Sequence, residues 1–444
     1  MGLPESKLNA VPALKKKSGY RWVVLGIIFL VYLVCMADRT NIGVVLPFIK
    51  EEFTLNNFQA GAIASFFFLG YAITQIPAGF LLSKKGSRGI ATIAILAFSV
   101  VTFLLGTVKS ATALVLMRLG LGITEGPAPV SMTSTINQWF PAKEKATATG
   151  VYIASTQLAP IVVPIIATLI AIEFGWRYVF FFFAIPGILL AAVWYIFVRS
   201  KPEESPHVSQ AELEYIRQSE TASNVGASER KSLGWIDKAI RYQKVQPLTT
   251  YKSIFKSWNI MGNTLTYFFM NSVNYGLLTW VPMYLVNEKG YSLMKMGLLA
   301  STPAIGGLIG ALLGGVISDK VFLKRRKPTM IMTAFFAAIM MFVVTNIPNN
   351  GVLIAICLGL AGFFLNIGWP SFTAYPMGLT NRETYPVAIA TVNSGGNLGG
   401  FFSPMIVGAL LDATGNYNLA FGFFGILLIL GFIVILTLKE PVQD

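Results

Sequence analysis

Four ionisable residues stand inside runs otherwise suited to hydrocarbon. Asp38 and Arg39 adjoin each other in "VYLVCMADRTNIGVV" (31–45), near the middle of a segment that is otherwise uncharged from Trp22 to Ile49. Arg118 and Glu125 lie seven residues apart in "RLGLGITEGPAP" (118–129). A charge at bilayer depth costs at least ~2.5–3.5 kcal/mol on insertion scales, so such residues usually face a cavity and carry function. Arginine stays protonated and offers a planar fork matched to carboxylates. A desolvated carboxylate holds a proton more readily than one in water, and can load and release it near neutral pH. Arginine therefore suits anion binding and the acids suit proton coupling. On a helix, seven residues span about two turns and ~10 Å, which places Arg118 and Glu125 on one face. Neighbours diverge by about 100°, so of Asp38 and Arg39 one can look into a cavity while the other meets an adjacent helix. A structural charge network among the four is the alternative, and it does not exclude transport.

The elements that position these groups follow from composition. The chain has 444 residues, 54% hydrophobic and 12% charged, against about 25% charged in soluble domains. Twelve apolar runs lie near 22–48, 58–82, 89–107, 110–136, 146–171, 178–198, 258–286, 293–317, 329–347, 351–376, 386–411 and 418–438. Each is long enough to cross a bilayer. Backbone polar groups in lipid must be satisfied internally, which demands helices here. A β-barrel would show alternating segments of about ten residues. The expected fold is all-α: twelve transmembrane helices in two six-helix bundles. It divides into a tail (1–21), a first bundle (22–198), a central loop (199–257), a second bundle (258–438) and a short tail (439–444).

With the N-terminus cytoplasmic, 27 of the 34 Lys and Arg fall on the cytoplasmic side, five fall outside, and Arg39 and Arg118 lie within the runs. The net charge of +14 is thus mostly an orientation signal and does not point to nucleic acid. No cleavable leader is evident. Cys35 and Cys357 sit in apolar runs, where packing is expected rather than a disulfide or a metal site. The only histidine, His207, falls in the central loop and reads as a solvated residue. In the same loop, Ser209 followed by Glu212 reads as a capping box on a short surface helix.

The halves echo each other. Residues 148–178 align with 390–416, matching Gln157 to Asn397, Pro164 to Pro404 and Gly175 to Gly415. Such repeats are typical of transporters with a substrate site between the halves. "GFLLSKKGSR" (79–88) echoes "GVISDKVFLK" (315–324). The first of these resembles the loop motif of the major facilitator superfamily. Gly79, Lys84, Gly86 and Arg88 match, Ser83 stands at the usual Asp, and Asp319 keeps the acid in the second copy. The resemblance implies a latch that closes the cytoplasmic side of the outward-facing state.

"ADRTN" (37–41), "FFFLGYAITQIPAGFLL" (66–82), "RLGLGITEGPAP", "NQWFPAKEKATATG" (137–150) and "LTWVPMYL" (278–285) together are similar to the anion:cation symporter branch. That branch includes bacterial carriers of galactonate, glucarate and hexuronates, as well as sialin and the vesicular glutamate transporters. The resemblance implies that Arg39 contacts a substrate carboxylate, that Asp38 and Glu125 carry protons, and that Arg118 tunes or pairs Glu125. It also points to Tyr71 and Asn393 as substrate ligands. Gln157 falls one residue past the branch's glutamine position, where Thr156 stands.

Further polar candidates are Asn271, Asn274 and Tyr275 on one helical face, Trp369, Ser371 and Thr373 in the tenth run, and Asn397 in the eleventh. Hydroxyls and amides suit a polyhydroxylated anion, although each singly is as compatible with interhelical bonding. "NSGGNLGG" (393–400) lies within a run and lacks the Gly-Lys-Ser/Thr of a phosphate loop, so small-residue helix packing explains it.

The expected function is secondary, proton-driven symport of an organic anion, above all a sugar acid, by alternating access. No cofactor, monomeric assembly and a bacterial inner-membrane location with both termini cytoplasmic are expected. The alternatives are an exchanger of the same fold, for an organic anion or a phosphate ester, and a carrier of another carboxylate, aromatic or dicarboxylic. A membrane-embedded enzyme would need a nucleophile or metal cluster at a membrane face, and no such cluster is apparent.

Overall fold

The computed structural model describes residues 18–218, 232–381 and 384–442. Most of the basic N-terminal tail, Arg382 and the Ser83 side chain fall outside the described part.

Among the described residues, twelve helical spans cross the molecule. Spans 1–3 are Tyr20–Glu52, Asn57–Lys85 and Ser87–Leu105. Span 4 is split into Ala111–Glu125 and Pro127–Trp139. Spans 5 and 6 are Ala142–Glu173 and Trp176–Phe197. Span 7 is Trp258–Met283, continued by a wider turn at Tyr284–Glu288. Span 8 joins Leu293–Ala300 to Thr302–Val316, and span 9 is Lys327–Thr345. Span 10 is split into Gly351–Ile367 and Trp369–Ala374, and spans 11 and 12 are Tyr385–Thr414 and Tyr417–Thr437.

Spans 4 and 10 break at equivalent points. Gly126 and Pro127 interrupt one, and Gly368, Trp369 and Pro370 interrupt the other. Proline has no N–H for the preceding turn and crowds its carbonyl, which accounts for both breaks. The matched glycines of the repeat both adopt positive φ where a helix begins or ends, Gly175 at +95° and Gly415 at +62°.

Eight of the described helical segments are long and apolar enough by themselves to cross a membrane. Spans 2, 4, 7 and 11 are not among these eight. Glycine lets backbones approach closely in a membrane, where packing rather than the hydrophobic effect joins helices. A Cβ on Gly122 of span 4 would stand 2.0 Å from the Phe67 carbonyl oxygen of span 2, and one on Gly70 would stand 2.3 Å from that of Leu119. This contact brings Arg118 and Glu125 close to span 1.

The two bundles meet tightly at the face opposite the central loop. There a Cβ on Gly61 would lie 2.3 Å from the Pro404 carbonyl, and one on Gly408 would lie 2.3 Å from that of Asn57. Asp412 of span 11 accepts the backbone N–H groups of Asn57 and Phe58 at 2.8 Å each. A carboxylate at a helix N-terminus takes up orphan donors and complements the helix dipole. It thereby ties span 11 of the second bundle to span 2 of the first.

The loop-bearing face is tied differently, within each bundle. Glu212 lies on the short helix Gln210–Gln218, and its backbone N–H does bond the Ser209 hydroxyl at 3.3 Å. Its carboxylate does not close the expected box. It accepts the N–H groups of Tyr20 and Arg21, the Ser18 hydroxyl and the Arg21 guanidinium. Arg21 also holds Glu144 at 2.8 Å. The loop helix therefore caps span 1, because four donors there outcompete the single Ser209 N–H. His207 is exposed, as expected, with its ring tilted against that of Tyr20 at 5.0 Å between centroids.

In the second bundle, Tyr242–Gln243 of the central loop pairs in parallel with Glu440–Pro441 of the C-terminal segment. Glu440 is buried and accepts the N–H groups of Arg326 at 2.8 Å and Lys327 at 2.7 Å. Burial pushes its carboxyl up to about 7, against the bonds from those two residues and their positive charges. The folded state therefore binds more protons than the unfolded chain between about pH 4.5 and 7, so stability falls as pH rises through that window. Thermal melts in detergent should show the wild type losing roughly 1–3 kcal/mol relative to Glu440→Gln between pH 5 and 8. Parallel pH profiles would contradict this.

Candidate functional site

A cavity of about 1620 Å³ lies between the bundles. Its wall extends toward the loop-bearing face, where Phe80, Phe255 and Met377 line it and are exposed. With the opposite face packed shut, the cavity opens on the loop-bearing side. It is larger than the ~300–1,000 Å³ typical of a closed small-molecule pocket, so this is an open vestibule.

Arg39 reaches the cavity wall. Its Nε donates to Glu125 Oε1 at 2.8 Å and its Nη2 donates to the same oxygen at 2.5 Å. Glu125 Oε2 is buried and has no hydrogen-bond partner among the described residues. The guanidinium lies 4.2 Å from the Tyr71 ring centroid and 5.1 Å from that of Phe67. Aromatic faces add favourable electrostatics to a desolvated cation. Tyr32, Met36 and Arg39 follow at i, i+4 and i+7 along one face of span 1, and all line the cavity.

Asp38 turns away from this wall. Its carboxylate accepts the Thr102 hydroxyl of span 3 at 2.8 Å and the Asn41 amide at 3.5 Å. Adjacent residues on one helix thus serve two environments. Arg118, expected to tune or pair Glu125, makes no direct hydrogen bond to it. Its Nη1 donates to the Asp38 carbonyl at 3.0 Å and its Nε to the Ile63 carbonyl at 3.2 Å, and it lies 5.0 Å from the Phe67 ring centroid. Helix rotation at the span 2 contact gives Glu125 to Arg39 and leaves Arg118 to bolt spans 1 and 2 together.

Of the neutral candidates, Tyr71, Gln157, Asn274, Tyr275, Thr373 and Asn393 line the cavity. Ser371 does not. It is fully buried, 2.6 Å from the Thr329 hydroxyl and 3.4 Å from that of Ser318, and so joins spans 8, 9 and 10. Asn271 is buried against Gly396 rather than facing the cavity, while Asn397 and Trp369 face it. Asn366 was missed. An amide in the otherwise apolar run 351–367, three and seven residues before Trp369 and Thr373, was the available signal.

The loop-motif residues stay within their own bundles. Arg88 donates to the Tyr195 carbonyl at 3.0 and 2.8 Å, and its N–H bonds the Ser200 hydroxyl at 3.1 Å. Gly86 has φ +73°, with Ser200 filling the space a side chain would need. Lys84 is exposed, and Gly79 lines the cavity. Asp319 pairs with Arg326 at 2.6 Å.

The sequence pattern of the Major Facilitator Superfamily matches residues 28–360 and 322–444. The chain belongs to this superfamily. A probable galactarate/D-glucarate transporter, GudP of Bacillus subtilis (strain 168), is 28% identical over 96% of this chain and 94% of its own length. The D-galactonate transporter of Escherichia coli O6:H1 is 29% identical over 91% and 93%. A bacterial homologue of the human lysosomal transporter Spinster, solved in an inward-facing and occupied conformation, superposes with a TM-score of 0.74 at 16% identity, covering 94% of this chain and 96% of that one. The protein is thus a multi-pass membrane transporter of the major facilitator fold and not an enzyme.

Proposed function

We infer that this major facilitator protein takes up a sugar acid, a hexonate, hexuronate or aldarate, together with protons across a bacterial inner membrane. The named relatives support the substrate class. The Lys and Arg bias supports placing the loop-bearing face, and hence the open cavity, toward the cytoplasm.

The observation that carries the reading is the ion pair between Arg39, which lines the cavity, and Glu125, which is buried behind it. A substrate carboxylate docking on Arg39 shares a guanidinium whose Nε and Nη2 already donate to Glu125, which brings the two carboxylates close together. Two carboxylates about 4 Å apart repel by about 4 kcal/mol at an effective dielectric of 20. Anion docking and a charged Glu125 are therefore antagonistic. A proton placed on Glu125 Oε2 relieves the conflict and frees Arg39. By linkage, whatever the proton does for anion affinity, the anion does for proton affinity. Proton and anion then load together, the bundles rock, and both leave together.

Tyr71 sits beside Arg39 to shape the carboxylate site, and Asn274, Tyr275, Thr373 and Asn393 supply groups for hydroxyls. Asp38 and Arg118 hold span 1 against spans 2 and 3; Asp38 and Glu125 are both proposed as proton sites, with Glu125, on Arg39, the one linked directly to the anion. Gly79, Lys84, Gly86, Arg88 and Asp319 are poised to latch the cytoplasmic face once the cavity turns outward.

Proteoliposomes with an acidic exterior and no internal substrate test this reading. Labelled D-galactonate or D-glucarate should accumulate, and a protonophore should collapse the accumulation. Uptake that appears only with an internal anion would instead identify an exchanger.

A further inference from the structure

Gln157 of span 5 and Asn366 of span 10 belong to different bundles, and both line the cavity. Gln157 Nε2 donates to Asn366 Oδ1 at 3.1 Å. Asn366 Nδ2 donates to the Gly362 carbonyl one turn back at 2.9 Å, which fixes the orientation of its amide. Gly307 of span 8 lies beneath the pair. A Cβ there would stand 2.8 Å from Asn366 Nδ2 and 3.3 Å from Gln157 Oε1. The close seating of spans 8 and 10 sets this up. A Cβ on Gly306, Gly310 or Gly314 would fall 1.8, 2.2 or 1.8 Å from the carbonyl oxygens of Gly359, Phe363 and Ile367 respectively. Asn366 is thereby presented across the face of span 8 toward the first bundle.

We propose that Gln157 and Asn366 form a clamp that reads one hydroxyl of the transported anion and replaces their mutual bond with a ligand bridge between the bundles. The assignment rests on the sugar-acid reading above. An alcohol is both donor and acceptor. Inserted between the amides, it accepts from Gln157 Nε2 and donates to Asn366 Oδ1, satisfying both groups. A carboxylate has no proton to give Asn366 Oδ1 and would set two acceptors against each other. The clamp therefore discriminates by hydroxyl, while Arg39 discriminates by charge. Because the amides come from opposite bundles, a correctly placed hydroxyl also holds the bundles together around the cargo. Asn366 and Gln157 are binding residues in this scheme, and Gly307 is a positioning residue.

The test is a ligand–protein cycle on the purified full-length transporter, with affinities measured calorimetrically for D-galactonate and each of its monodeoxy analogues. Wild type should lose about tenfold at one deoxy position through the clamp. Asn366→Leu should bind the parent about tenfold more weakly and lose less than twofold further at that position, while keeping the wild-type losses at the others. Gly307→Ala retains both amides but displaces them, and should show the same selective insensitivity. It also serves if Asn366→Leu does not fold. Variants that lose the same factor for the parent and for every analogue would overturn the clamp and leave the sugar-acid reading standing. Wild-type protein that binds no hydroxylated sugar acid would overturn that reading and the clamp with it.

Discussion

Glu125→Gln is expected to abolish accumulation of the anion against its gradient while preserving binding and counterflow. Both Arg39 bonds end on Glu125 Oε1. Glutamine keeps a neutral acceptor of the same shape there but cannot take up and release the proton. Its hold on Arg39 is also weaker, since a charge-assisted hydrogen bond is about twice as strong as a neutral one. The anion then faces less competition for the guanidinium, and its affinity at alkaline pH should rise about tenfold. In proteoliposomes the accumulation ratio under an inward proton gradient should fall to about one, with counterflow within about threefold of wild type. Accumulation at the wild-type level would remove Glu125 from the coupling site.

Arg39→Ala should abolish measurable binding. Truncating one partner of a buried, hydrogen-bonded charge pair costs about 2–5 kcal/mol, which is roughly 30-fold to several thousand-fold in affinity at about 1.4 kcal/mol per decade. Arg39→Lys keeps the charge and loses the planar fork, so it should fall between, about tenfold to 100-fold weaker than wild type. Alanine also strands Glu125 in a buried position, a break worth about 3–5 kcal/mol of stability. The double variant Arg39→Ala/Glu125→Gln should therefore recover thermal stability without recovering binding. Calorimetry and thermal melts on the same samples separate the two effects. Sugar-acid affinity retained in Arg39→Ala would show that the pair is structural only.

The sequence made the membrane architecture plain, because twelve apolar runs leave a chain few ways to satisfy its backbone in lipid. It also singled out the buried charges, since four ionisable groups at bilayer depth are conspicuous. Their partners were not legible. Helical spacing puts Arg118 and Glu125 on one face, but the glycine contact of span 4 with span 2 sets the rotation that gives Glu125 to Arg39. Asp38 and Arg39 were separable from the 100° step alone, and the structure divides them between span 3 and the cavity.

The neutral residues were harder to read. Polar side chains bond between helices as readily as they bind ligands. Ser371 illustrates this, as it lies between Trp369 and Thr373 in sequence yet faces Thr329 and Ser318. Periodicity held the answer in part: Asn366, Trp369 and Thr373 at i, i+3 and i+7 mark the cavity side of span 10 and exclude residue 371. The Gln157–Asn366 contact joins residues 209 positions apart and depends on how the two bundles rest against each other. Local pattern carries no such information.

In the proposed mechanism the anion and a charged Glu125 compete for one guanidinium. Calorimetric titration of the wild-type transporter with D-galactonate, in two buffers of equal pH but different ionisation enthalpy, tests it most directly. At a pH where Glu125 is ionised in the empty protein, the heats should differ by the difference between the two buffers' ionisation enthalpies times about one proton taken up per anion bound, and this should vanish in Glu125→Gln. Equal heats in both buffers across the pH range over which the anion binds would contradict the account.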